Sequence, residues 1–209
     1  MRSMAHDLRV ARQSLALMPP QQLEPPLVIL SGLPGTGKTF FSHILEERLP
    51  IVAIRTDEIR KTLFQQPTYA PEESYWVYQV CHRLIEELLR QGVGVIFDAT
   101  NLSERGREDL YAIAERTGAR LVIVLVVAPE EVVRERLLGR HAGRRDSRDR
   151  SDATWEIYER MKSSVERIRR PHYVVDTSQN PQQVAERLAR ELAPVGQGEG
   201  NSPETSPEQ

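Results

Sequence analysis

Leu27-Val28-Ile29-Leu30-Ser31-Gly32-Leu33-Pro34-Gly35-Thr36-Gly37-Lys38-Thr39-Phe40-Phe41 reads as an apolar strand, a glycine-rich turn and the opening of an amphipathic helix. Gly32 to Thr39 fills the pattern G-x-x-x-x-G-K-S/T, and the strand–turn–helix order around it is the context that pattern needs. Without a Cβ in the way, the turn's backbone N–H groups curl around a phosphate. Gly32, Leu33, Pro34, Gly35, Thr36 and Gly37 form this cradle. Lys38, Thr39 and Phe40 add the unpaired N–H groups and the positive dipole end of the first helical turn. The Lys38 ammonium is expected at the β- and γ-phosphates and the Thr39 hydroxyl on Mg²⁺. Lysine is scarce, with only Lys38, Lys61 and Lys162 among 28 basic residues, which makes its presence here more telling. The stretch predicts a nucleoside triphosphate site.

The 209 residues fit one α/β domain with a full hydrophobic core. A formal net charge of −2 gives no global attraction for nucleic acid or membrane. Locally, between Arg134 and Arg170, basic residues outnumber acidic ones. Cys81 is the only cysteine, so an internal disulfide and a cysteine zinc site are excluded. The five histidines have no ligand spacing. No apolar run approaches the ~18 residues of a membrane span. The charged N-terminus does not resemble a secretory signal, so a cytoplasmic protein is expected.

Residues 1–26 hold a weak amphipathic stretch followed by Pro19-Pro20 and Pro25-Pro26, expected as a short helix or disordered arm on a stiff linker. Residues 194–209 have the composition of a disordered tail. Between them, in the domain expected over 27–193, Val- and Ile-rich runs alternate with helical patterns. Leu27–Leu30, Ile51–Ile54, Val93–Phe97, Leu121–Val127 and Tyr173–Val175 read as buried parallel strands. One helix carries Val77, Val80, Cys81, Leu84, Ile85, Leu88 and Leu89 on one face and stops at Gly92. Others follow Ser103, Pro129 and Asn180-Pro181, and a stripe of Trp155, Tyr158, Met161, Val165 and Ile168 suggests one more. The alternation predicts a parallel sheet with helices on both faces, with ligands at the carboxyl ends of its strands.

Three more groups fall at such ends. Asp57 and Arg60 follow the second strand one helical turn apart. The carboxylate suits a base for an attacking hydroxyl, and the arginine suits the acceptor or the transferred phosphoryl group. The plainer reading is a helix cap paired to Arg60. Asp98, after the third strand, is where a carboxylate holds Mg²⁺ through water. Thr100 and Asn101 are either ligand contacts or turn formers. Arg136 and Arg140 precede a polar, arginine-dense segment at about 139–152 that reads as a lid. Both are expected among the nucleotide contacts; Arg140 is the expected arginine that stabilises charge on closure, while Arg136 is the more structural of the two. Trp155 and Tyr158 read as core.

Together these residues resemble the P-loop kinase superfamily. The likeness is to the group holding the kinase domain of phage-type polynucleotide kinases and small kinases of unknown acceptor. Beside Gly32–Thr39, it rests on Asp57-Glu58-Ile59-Arg60, Asp98-Ala99-Thr100-Asn101-Leu102, the Arg136/Arg140 spacing and Ser151-Asp152-Ala153-Thr154. The resemblance implies a three-layer fold with strand order 2-3-1-4-5, ATP and Mg²⁺ as cofactors, and Asp57 as base. It also makes Arg60 an acceptor-side contact and Arg140 the lid arginine. Polynucleotide kinases of this kind often have Arg directly before the Asp, where this chain has Thr56 after Arg55.

Three functions compete. An ATP-dependent kinase for a small hydroxyl compound leads, ahead of a 5′-hydroxyl polynucleotide kinase that the local arginine excess favours. A nonkinase ATPase or nucleotide-driven switch is the third. The chain has no N-K-x-D guanine-reading motif and no acidic pair after the third strand, which favours a kinase using ATP.

Overall fold

The computed structural model describes residues 2–15, 19–141 and 152–193, without the side chains of Arg140 and His141. Most of the lid expected at 139–152, and the tail at 194–209, therefore lie outside the described residues.

Five strands form one parallel sheet: β1 (Pro26–Ser31), β2 (Ile51–Arg55), β3 (Gly94–Asp98), β4 (Arg120–Val127) and β5 (Tyr173–Asp176). Their order is β2-β3-β1-β4-β5, the predicted one. Side chains alternate across a strand, so each apolar run feeds two cores. Leu27 and Ile29 of β1 face one way, with Val95 and Phe97 of β3. They pack under α3 (Thr56–Leu63), α4 (Pro71–Arg90) and α5 (Glu104–Thr117). Val28 and Leu30 face the other way, against α2 (Lys38–Glu46) and α8 (Pro181–Leu192). Every residue of β1 is buried, which is why its sequence is a continuous apolar run rather than an alternating one. The register levels the strand ends: Asp98 lies beside both Leu30 and Arg55.

Helix ends follow side-chain chemistry. Ser103 accepts the Gly106 N–H and caps α5, whose exit residue Gly118 takes φ +68°. α6 (Glu130–His141) starts one residue after Pro129. The stripe from Trp155 to Ile168 is a correction to the sequence reading. α7 covers only Trp155–Lys162. The Ser164 hydroxyl donates to the Met161 carbonyl at 2.7 Å, and the Glu166 N–H turns to the Leu102 carbonyl at 3.0 Å. These bonds end the helix, leave Val165 46% exposed and return Ile168 to the core.

Of the two states open to the N-terminal arm, the helix is the one adopted, as α1 (Met4–Gln13). Ala11 is fully buried, and buried Asp7 accepts from Arg2 Nε and Trp76 Nε1, both at 2.8 Å. Among the described residues no helix is long and apolar enough to cross a membrane.

Candidate active site

A cleft of about 1110 Å³ opens at the carboxyl ends of the strands, lined by the glycine turn, α2, α3, α4, Asp98 and Arg136. Its floor is the β1–α2 turn. A Cβ on Gly32 would stand 2.3 Å from the Val126 carbonyl oxygen, so backbone passes backbone there only because the residue is glycine. Gly37 caps α2 in the left-handed region, φ +93°. Lys38 Nζ donates to the Leu33 carbonyl at 3.0 Å, carrying the ammonium back across the cradle. Phe40, half exposed, stands at the rim.

The Thr39 hydroxyl donates to Asp98 Oδ2 at 2.7 Å. Burial pushes the Asp98 carboxyl up, against the pull of Lys38, Thr39 and Arg55. Arg55 Nε stands 3.9 Å from the same oxygen while the guanidinium pairs with Glu46 and donates to Ser42 Oγ at 3.1 Å. A buried carboxylate and a hydroxyl beside a phosphate cradle are hard oxygen donors suited to Mg²⁺, whose charge would favour the ionised carboxylate. Among the described residues no group of three or more His, Cys, Asp or Glu could hold a metal. Mg²⁺ usually keeps such a site, taking one or two protein oxygens and completing its shell with phosphate oxygens and water.

Asp57 sits in the first turn of α3, which starts at Thr56, and lines the cleft. Arg60 lines it too, but its Nη1 donates to Glu73 Oε1 at 2.5 Å and both side chains are buried. Burial raises the Glu73 carboxyl, yet hydrogen bonds from Thr68, Arg60 and Tyr69 outweigh it and hold it at about 2. Tyr69, at φ +57°, lays its ring 4.6 Å from the Arg60 guanidinium carbon. Of the two residues read as ligand contacts or turn formers, Asn101 takes φ +45° and donates to the Leu30 carbonyl at 2.7 Å. Thr100 lines the cleft.

On the opposite side Arg136 donates to Thr177 Oγ1 at 2.8 Å and to the Thr177 and Gly35 carbonyls at 3.2 and 3.4 Å. Thr177 in turn donates to the Thr36 carbonyl at 2.6 Å. Arg136 is thereby tied to the phosphate loop. The Arg140 side chain lies outside the described residues, so its expected role at the cleft has no geometry. Sequence reading missed Thr177, Tyr69, Glu73 and Tyr78 as cleft or support residues. Thr177 had a usable signal: it directly follows β5 at the carboxyl edge of the sheet, where Asp98 ends β3.

The family model described as an AAA domain matches residues 27–168. The L-seryl-tRNA(Sec) kinase of Methanococcus maripaludis is 29% identical over 119 residues, 54% of this chain and 46% of that protein. The adenylyl-sulfate kinase of Myxococcus xanthus is 29% identical over 108 residues, 50% of this chain and 58% of that one. The chain thus spans about half the length of the curated relatives it matches. In structure, the Mycobacterium tuberculosis APS kinase CysC, in complex with AMPPNP and APS, superposes with a TM-score of 0.59 at 19% identity. That superposition covers 83% of this chain and 99% of CysC, and at such identity the likeness is one of fold. The family match takes in the phosphate loop, the Asp57 turn and Asp98 together, and the chain belongs to this AAA domain family, a branch of the P-loop kinase superfamily.

Proposed function

We propose that this protein is an ATP-dependent kinase that transfers the γ-phosphate to a hydroxyl of a small-molecule acceptor. The observation that carries the reading is the pairing of Thr39 with Asp98 at 2.7 Å beside Lys38, with Asp57 lining the same cleft. A nucleotide-only switch needs the first group; a hydroxyl acceptor calls for the second. Thr39 and Asp98 would hold Mg²⁺, which would offset the negative charge of the phosphates. Lys38 and the N–H groups of Gly35 to Phe40 hold the β- and γ-phosphates. Asp57 accepts the proton of the attacking hydroxyl, or orients it. Arg136 braces the loop through Thr177, and Arg140 approaches from α6 when the site closes. The kinase relatives and the family match support this reading.

Lys38→Ala tests it. The variant should keep its fold by circular dichroism and lose most phosphoryl transfer from labelled ATP, because the cradle's ammonium at the β- and γ-phosphates is gone. Turnover equal to that of the parent protein would remove the kinase assignment.

A further inference from the structure

The cations carried by β2 and α3 are each matched to a carboxylate already. Arg60, 5% exposed, is paired with Glu73 at 2.5 Å and packed on the Tyr69 ring. Glu73 is saturated in its turn, accepting from Thr68 N and Oγ1 at 2.8 Å and from Tyr69 N at 3.1 Å. Lys61 Nζ lies 2.7 Å from Asp152 Oδ2, which also accepts the Tyr69 hydroxyl at 2.7 Å. Arg55 pairs with Glu46 and stands 3.9 Å from Glu58. Asp57 adds a further carboxylate to the same wall. Hydroxyls of Thr56, Tyr69, Ser74, Tyr78 and Thr100 line it as well.

An anionic acceptor would have to separate the buried Arg60–Glu73 pair or compete with carboxylates for cations already paired, and both are unfavourable. A hydroxylated, uncharged acceptor meets hydroxyls and a carboxylate that can hydrogen-bond it, and aromatic faces for its C–H edges. Size points the same way. One drug-sized ligand fills a pocket of roughly 300–1,000 Å³, and this cleft of about 1110 Å³ must take nucleotide and acceptor together.

We infer that the acceptor is an uncharged polyhydroxylated molecule of about sugar size, selected against anions by the Arg60–Glu73 and Lys61–Asp152 pairs. The inference rests on the kinase reading above. In the reaction the acceptor oxygen forms a bond to the γ-phosphorus, the bond from that phosphorus to the β–γ bridging oxygen breaks, ADP leaves with the electron pair, and the hydroxyl proton passes to Asp57.

The full-length protein, with Mg²⁺ and γ-labelled ATP, should be offered neutral polyols (glucose, ribose, glycerol), their anionic partners (gluconate, ribose phosphate, glycerol phosphate) and a 5′-hydroxyl oligonucleotide. A neutral member should be labelled with kcat/KM about tenfold or more above its anionic partner. Glu73→Gln leaves the Arg60 charge uncompensated and should raise the anionic-to-neutral ratio by about tenfold. Asp152→Asn, at a side chain 42% exposed and so tolerant of change, should raise it several-fold through Lys61; this variant decides if the buried one fails to fold. A silent neutral arm, an anionic member used equally well, or an unmoved ratio in the folded variants would overturn the inference. Labelled anionic product with no neutral product leaves the kinase reading standing, whereas label appearing only as free phosphate removes that reading itself.

Discussion

Asp57 lines the cleft and Glu73 supports that lining through Arg60, yet only one was visible in the sequence. Asp57 stands two residues past an apolar strand, and in a parallel sheet that position is the ligand edge. Glu73 lies in the first turn of α4, where an acidic residue reads as a favourable partner of the helix dipole. Its bond to Arg60 bridges 13 residues and two helices, which no local pattern encodes. Asp57→Asn keeps the side chain's size and removes its basicity. ATP binding should stay near the parent value while acceptor phosphorylation falls by roughly 10²–10⁴, the range for losing a general base. Acceptor turnover within a few-fold of the parent would retire Asp57 as the base. Glu73 makes a separate forecast. A carboxyl held at about 2 when folded, against an ordinary 4.5, adds stability that is fully present above about pH 4.5 and is lost as pH falls toward 2. Denaturation curves across that window should show the loss in the parent protein and a smaller one in Glu73→Gln; identical slopes would argue against it. Cys81 closes the residue scale: fully buried, its thiol is pushed up to about 12 by desolvation. A thiol-reactive dye should label it only as fast as the protein unfolds, and rapid labelling of the native protein would contradict its burial.

At the scale of elements, strands were legible and helix ends less so. A parallel strand buried on both faces must be a run of Val, Ile and Leu, and all five runs became strands. α7 shows the limit of periodicity. Its apolar stripe continues in sequence to Ile168, but the chain leaves the helix because Ser164 satisfies a terminal carbonyl and Glu166 is held by long-range partners. Arg107, fully buried, donates to the Glu166 and Arg167 carbonyls at 2.9 and 3.2 Å and pins that segment beside the β3 exit. The β1–α2 turn, by contrast, was legible because its glycines are demanded by backbone geometry. Gly32→Ala should be among the most damaging small substitutions in the chain. The added carbon would meet the Val126 carbonyl oxygen at 2.3 Å, and neither strand end can retreat without parting the β1–β4 pairing. Nucleotide affinity and thermal stability should both fall sharply, with a stability loss on the order of 2–4 kcal/mol. A variant with the parent's melting temperature would show that the two strand ends have room to move apart.

For the molecule as a whole, the two faces of the sheet divide the work. α2 and α8 pack behind the phosphate loop, while α3, α4 and α5 cover the other face, and α3 and α4 line the cleft there. α1 joins this second layer from outside the residues that match the family model. It reaches the wall only from behind: Arg2 donates to the Leu63 carbonyl at 2.7 Å and stacks on Phe64, and Asp7 holds the Trp76 indole. Its sequence was ambiguous because four apolar residues in a polar stretch do not make a helix stable alone; packing on α3 and α4 decides it. Deleting residues 1–15 removes the burial of Ala11 and the packing of Met4, Leu8 and Leu15. The gain from those side chains is largely offset by the entropy of ordering the helix. The net loss should therefore be only about 1–2 kcal/mol, or roughly 2–8 °C in Tm for a chain of this size. The functional effect should be one-sided. α3 and α4 carry Asp57, Arg60, Glu73 and Tyr78, whereas Lys38 and Thr39 stand on α2 across the sheet. Loosening the outer layer should raise KM for the acceptor several-fold and leave AMPPNP affinity within about twofold. Equal losses on both sides would mean that α1 supports the sheet as a unit, and an unchanged acceptor KM would mean that α3 and α4 hold the wall without it.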